Sequence, residues 1–160
     1  MRAVATIGVY GWTREALIEA LRSAGVGLVL DVRQRRGVRG SAYAWANSAR
    51  LQEALAEAKV GYRHHPELAP TTELRHLQYG EDERVGVGKR SRVELAPEYR
   101  ERYAGEILDR VDLAAFVAEL PTEVAAALLC VERDPEACHR SLIAERLAGE
   151  YELAITHLRP

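Results

Sequence analysis

Lysine is almost missing from this chain: of 22 basic residues in 160, only Lys59 and Lys89 are lysine and the rest are arginine. Genome base composition, heat adaptation and anion binding are three open sources of that bias. Cysteine is as scarce, with Cys130 and Cys138 alone. Two cysteines without a secretory signal point to a reducing compartment, hence to a cytoplasmic protein with free thiols. The opening MRAVATIGVYG is too short and too mixed to be a signal peptide. No apolar run approaches the roughly 18 residues of a membrane span, so no membrane role is expected. No G-x-G-x-x-G follows the first apolar run. The stretch GVGKRS at Gly86 to Ser91 lacks the Walker spacing, so both nucleotide-loop signals are absent. There is no internal repeat and no low-complexity tract. A net charge of −2 gives no global pull toward nucleic acid or membrane, so any such role rests on local patches.

What is present reads as one α/β domain over 1–160, long enough to bury about two-thirds of its unfolded surface. Ala3 to Gly8 predicts a first strand, broken at Gly11. Thr13 caps a helix whose Leu17, Leu21 and Ala24 share a face, ended by Gly25. Val26 to Val32 is a second strand, and a basic loop leads to a helix over Ser48 to Lys59. Val60 to His64 is a short third strand. Pro66 to Pro97 shows no clear element and reads as a long excursion: a lid, a partner-binding arm or a mobile segment. Helices follow at Glu98 to Val111 and Leu113 to Leu120. Val124 to Val131 is an apolar strand suited to burial on both faces. The next helix starts at Cys138 and is stopped by Gly149, and Tyr151 to His157 is a last strand. This order predicts a three-layer, Rossmann-like doubly wound fold, with a mainly parallel central sheet of about five strands.

In a parallel sheet the carboxyl ends of all strands share one edge, where ligands bind. That edge collects Tyr10, Asp31, Arg33, His64, His65, Cys130, Glu132, Cys138, His139 and Arg140. Cys138 at a helix start is a candidate nucleophile with a lowered pKa. His139, Glu132 and His64 are candidate proton carriers. Neighbouring helical residues diverge by about a hundred degrees, which favours His64 or His65 over His139 as the partner of Cys138. Asp31, Arg33, Arg140 and Tyr10 are candidate ligand contacts, with Arg33 and Arg140 holding an anion. Against these readings stand packing for the cysteines and an internal ion pair for Asp31 and Arg33. Cys130, Cys138, His139 and His64 form a zinc set by residue type, but the spacing fits no recognised knuckle, and no metal is assigned. No cofactor is indicated. Arg33, Arg35, Arg36, Arg39 and Arg50, interleaved with Tyr43 and Trp45, form either a single-strand nucleic-acid surface or solvated loop charge. Arg84, Lys89, Arg90 and Arg92 form a second such cluster.

TIG at Thr6 to Gly8, DVR at Asp31 to Arg33, Asn47, and YRHHPEL at Tyr62 to Leu68 then recur in order with LLCVE at Leu128 to Glu132, CHR at Cys138 to Arg140 and HL at His157 to Leu158. In this the chain resembles the domain of unknown function 488 family over nearly its full length. Many members carry His-Ser after TIG, where Val9 and Tyr10 stand here. The resemblance implies an α/β fold of the doubly wound type and adds Asn47 to the candidate ligand contacts. It implies no reaction. The residues themselves suggest an enzyme acting on an anionic, nucleotide-like substrate at the sheet's carboxyl edge. A non-catalytic nucleic-acid or adaptor module and a cysteine-based redox or metal sensor are the alternatives.

Overall fold

The computed structural model describes residues 2–160. Its strands are β1 (Ala3–Gly8), β2 (Val26–Asp31), β3 (Gly61–His64), β4 (Ala125–Cys130) and β5 (Ala154–Leu158). Its helices are α1 (Arg14–Ser23), α2 (Ser48–Glu57), α3 (Thr72–Val85), α4 (Pro97–Tyr103), α5 (Leu113–Ala118) and α6 (His139–Tyr151). The strands form one sheet in the order β3-β2-β4-β1-β5, and every pairing is parallel. The α/β class and the five-stranded parallel sheet agree with the sequence pattern. β4, the most uniformly apolar strand, lies at the centre, where both its faces are covered. The edge strands β3 and β5 keep exposed positions between half-buried ones.

Connections from β1 to β2 and β2 to β3 run one way across the sheet, and those to β4 and β5 run back. Right-handed crossovers then put α1 and α2 on one face and α3 to α6 on the other. In agreement, α1 packs on α2, and α4 packs on both α3 and α6. Thr13 caps α1 by accepting from the Ala16 amide, and Leu17 and Leu21 face the core. At the edge opposite the strands' carboxyl ends, helices turn into strands through left-handed residues: Gly25 before β2, Lys59 before β3 and Glu152 before β5.

Three sequence expectations need correction. The segment 66–97 is not free of structure. It contains α3, fourteen residues long, capped by Thr71 and closed by left-handed Gly86. Its buried positions are Leu74, Gln78 and Asp82, a stripe with a single apolar residue, so hydrophobic periodicity gives no sign of it. Gly149 does not stop the last helix. α6 runs through it to Tyr151, and Glu152 makes the turn. The helix expected over Glu98 to Val111 is α4 followed by a widened turn at Ala104–Leu108, where the Asp109 amide reaches the Ala104 carbonyl.

Candidate functional site

β2 and β4 are neighbours whose following chains leave in opposite directions, and a crevice opens beyond their carboxyl ends. It encloses about 440 Å³. Tyr10 lines it from just beyond β1, Arg33, Arg35 and Arg39 from beyond β2, Cys130 from the end of β4 and Glu132 from just after it. Cys138 and His139 enter from the start of α6, Arg75 and Tyr79 from α3, and Lys89 and Arg92 from the chain after it. Of the candidates named from sequence, Tyr10, Arg33, Glu132, Cys138 and His139 therefore share one cavity. Asp31, Arg140, His64 and Asn47 do not line it.

The reason in each case is an internal partner. Asp31 is buried behind Arg33. Its Oδ1 accepts from Arg33 Nε at 2.9 Å and its Oδ2 from Nη2 at 2.8 Å, and Tyr62 donates to Oδ2 at 2.5 Å. Arg33 Nη1 donates to the Ala46 carbonyl, and only 1% of the residue is exposed. This is the loop-tethering ion pair, and it corrects Arg33 as an anion holder and as part of a nucleic-acid surface. Arg140 is fully buried and donates from Nη1 and Nη2 to the carbonyls of Glu132 and Arg133, so it braces the chain leaving β4. His64 Nε2–H donates to the Arg33 carbonyl, which takes it away from Cys138. Asn47 Oδ1 accepts from the Val38 amide at 2.6 Å and holds the loop between β2 and α2. Arg36 donates to Tyr62, and Trp45 Nε1 donates to the Ala42 carbonyl.

The expected divergence of Cys138 and His139 also fails. Cys138 is the N-cap of α6 and its backbone is extended, not helical. Its Sγ lies 3.8 Å from His139 Nδ1. Cys130 Sγ, from the end of β4, lies 3.8 Å from the same nitrogen and donates to Glu132 Oε2 at 3.6 Å. The other ring nitrogen, Nε2, is 2.8 Å from the Val32 carbonyl. A carbonyl only accepts, so Nε2 carries a hydrogen, and Nδ1 is the ring nitrogen turned to the sulfurs. Among the described residues, Cys130, Cys138 and His139 are the one group of ligand atoms close enough to hold a metal, all within 4.8 Å of one another.

Electrostatics follow from this crowding. Burial opposes ionisation of Cys138, but the Cys130 thiol, His139 and Arg140 together hold its pKa well below the thiol range. The hydrogen bond to Cys138 and burial push Cys130 far up. Burial and the charge on Cys138 raise Glu132, against the pull of Lys89 and Arg92. Burial works against the charge of Lys89, yet Glu132 and its neighbours raise its pKa.

From sequence, Lys89 and Arg92 stand in a basic cluster read as either a nucleic-acid surface or solvated loop charge, with no link to the crevice. Arg92 is buried, binds the Asp82 carboxylate through Nε and Nη2, donates to the Ala137 carbonyl at 2.8 Å and reaches Glu132 at 3.4 Å. Gln78 donates to Asp82 and accepts from the Ala96 amide. These bonds pin α3 against the site. Arg90 lies over the faces of Tyr10 and Tyr43 at 5.0 and 5.2 Å. The signal that could have revealed this wall was the Thr71 cap and Gly86 stop, which mark a helix ahead of Lys89.

No helix among the described residues is long and apolar enough to cross a membrane. The sequence pattern of a family described as "Domain of unknown function DUF488" matches residues 13–147. No curated protein matches the chain. A solved structure, that of a conserved hypothetical protein from Aeropyrum pernix K1, is similar at 18% identity with a TM-score of 0.43. The match covers 99% of this chain and 38% of that one.

Proposed function

Because the chain belongs to the DUF488 family, whose description names no reaction, we propose a function from the crevice itself. The protein is an enzyme that binds a small anionic, nucleotide-like substrate there and transforms it at the Cys138–His139–Glu132 cluster. One observation carries the reading. Six cationic side chains line the cavity, Arg33, Arg35, Arg39, Arg75, Lys89 and Arg92, against a single carboxylate, Glu132. Arg33 and Arg92 are neutralised by Asp31 and Asp82. Arg35, Arg39 and Lys89 take part in none of the ion pairs among the described residues, so their charge is available to a ligand. The substrate's anionic group sits against Lys89 and these arginines, which replace Arg33 and Arg140 as its holders. Its remaining part lies toward the sulfurs and Tyr10. A hydrogen bond to a charged group is worth about 1.5–3 kcal/mol, roughly a tenfold or greater change in affinity.

The test is titration of inorganic phosphate and mononucleotides against the wild type, Lys89→Ala and the Arg35→Ala/Arg39→Ala double variant. Saturable binding in the wild type, weakened about tenfold or more in each variant, is the expected outcome. Absence of saturable binding, or equal affinity in all three proteins, would sink the reading. Binding seen only with oligonucleotides, with a steep fall in salt, would move the function to the nucleic-acid module.

A further inference from the structure

The geometry points to a metal centre: we propose that Cys130, Cys138 and His139 bind one thiophilic divalent cation of the zinc class, with a fourth position open to the crevice. This deepens the proposed function and rests on it only for what the metal does to a substrate. The binding itself stands on the three side chains.

The first observation is distance. Zinc binds thiolate at about 2.3 Å and imidazole at about 2.0–2.1 Å, almost always with tetrahedral angles. Such a centre separates sulfur from nitrogen by about 3.6 Å and sulfur from sulfur by about 3.8 Å. Here both sulfurs lie 3.8 Å from His139 Nδ1. The three ligand atoms all fall within 4.8 Å of each other. A cation fits between them after movements of a few tenths of an ångström for the nitrogen edges.

The second observation is the tautomer. Metal-bound histidines donate their other ring N–H to a carboxylate, a backbone carbonyl or water, which fixes the ring. His139 does so to the Val32 carbonyl at 2.8 Å. Nδ1 is therefore the ring nitrogen turned to the two sulfurs, and a metal that displaces any proton from it finds the lone pair aimed where a ligand's must be. Val32 follows β2, Cys130 closes β4 and Cys138 caps α6, so the switch point of the sheet holds all the parts together.

The third observation is access and charge. All three residues are buried yet line the crevice, so the protein supplies three ligands and the cavity supplies the fourth position. This is the three-ligand pattern of catalytic zinc, unlike the closed four-ligand structural sites. Two thiolates balance a divalent charge. Glu132 is the one carboxylate on the wall, 3.6 Å from Cys130 Sγ. It lies outside the close cluster of three, which leaves it free to exchange a proton with a water bound at the open position. In a hydrolysis at this centre, the water's proton passes to Glu132 and its oxygen bonds to the electrophilic atom of the substrate. The leaving group departs with its electron pair and takes the proton back from Glu132. Spacing in the sequence gave no hint of the site, because its ligands come from a strand end and a helix cap rather than from a knuckle.

The experiment uses the reduced, chelator-treated full chain and metal alone. One equivalent of Co²⁺ should give sulfur-to-cobalt charge transfer and the visible bands of a tetrahedral site, and Zn²⁺ should displace it. Zinc should bind more tightly than about 1 μM. One equivalent should remove both thiols from reaction with a disulfide reagent, a measurement that needs no variant. Cys130→Ser and Cys138→Ser should each weaken zinc at least about 100-fold, beyond the 10–100-fold typical of outer partners. Two reactive thiols in the presence of zinc, with no charge-transfer band, would overturn the proposal. So would selective alkylation of Cys138 at equal rates with and without zinc, the behaviour of a free nucleophile. Phosphate titration of metal-free and zinc-loaded protein separates this inference from the crevice reading. Phosphate binding without the cobalt spectrum overturns only the metal site, and the spectrum without phosphate binding overturns only the substrate assignment.

Discussion

Gly8 closes β1 where the chain leaving β4 crosses it at Glu132. A Cβ there would stand 1.7 Å from the Glu132 carbonyl oxygen and 3.0 Å from Arg140 Nη1. That oxygen accepts from Arg140 at 2.7 Å, so the glycine, the carbonyl and the guanidinium form one unit under the floor of the crevice. Gly8→Ala must displace backbone, not a flexible side-chain end. Overpacking of this kind costs about 1–3 kcal/mol, occasionally more. The urea midpoint should fall accordingly, and an unchanged midpoint would show that the β1–β4 approach relaxes freely. The arginines teach the limit of sequence reading at this scale. Arg33 follows Asp31 closely and Arg140 follows His139 in the chain, and both were natural candidates to hold an anion. Both are buried on internal acceptors, and an arginine's burial is not written in its neighbours. The thiol–imidazole group was legible by residue type and by its place after an apolar strand. Its geometry was not, because a cap residue leaves the helical direction that spacing arguments assume.

Among the elements, α3 decides what the crevice is. Without it the segment 66–97 reads as a long excursion: a lid, a partner-binding arm or a mobile segment. With it, the excursion is a wall held by a buried arginine bound to Asp82, Glu132 and the Ala137 carbonyl. Breaking a buried pair by removing one partner typically costs about 3–5 kcal/mol. Arg92→Ala should therefore loosen α3 and the chain up to Ala96, while β1, β2 and β4 keep their protection in hydrogen exchange. Equal loss of protection in the sheet would mean that wall and sheet open as one unit. Strands β1, β2 and β4 and helices α1 and α2 were legible because their buried faces are apolar. α3 was not, since Gln78 and Asp82 occupy two of its three buried positions and bond to each other.

For the molecule as a whole, acid stability reports on the sheet edge. His157 lies in β5 with its Nδ1 2.7 Å from Thr6 Oγ1. Partial enclosure of its ring first, then the charges of Arg140 and Arg159, lower its pKa from 6.5. The native state then resists protonation more than the unfolded chain does. Stability contributed by the neutral ring is present above pH 6.5 and is lost as pH falls through the lowered native value. His157→Asn should flatten that part of the profile, measured as unfolding free energy against pH; an unaltered slope would assign it to the carboxylates. The parallel sheet, and the edge where several candidate side chains gather, were readable from the alternation of apolar runs and helical stretches. The order of the strands, which makes β2 and β4 neighbours and so creates the crevice, depends on contacts distant in sequence.

The two lysines stand at opposite ends of this architecture. Lys59 is exposed in the turn between α2 and β3, on the far side from the crevice, and Lys89 is half-buried on the crevice wall. An amine-directed label thus meets one side chain on the crevice wall, which a ligand held against Lys89 would shield, and one that such a ligand leaves untouched. The chain carries its own internal reference for occupancy, readable by mass spectrometry from the ratio of two modified peptides without any engineered probe.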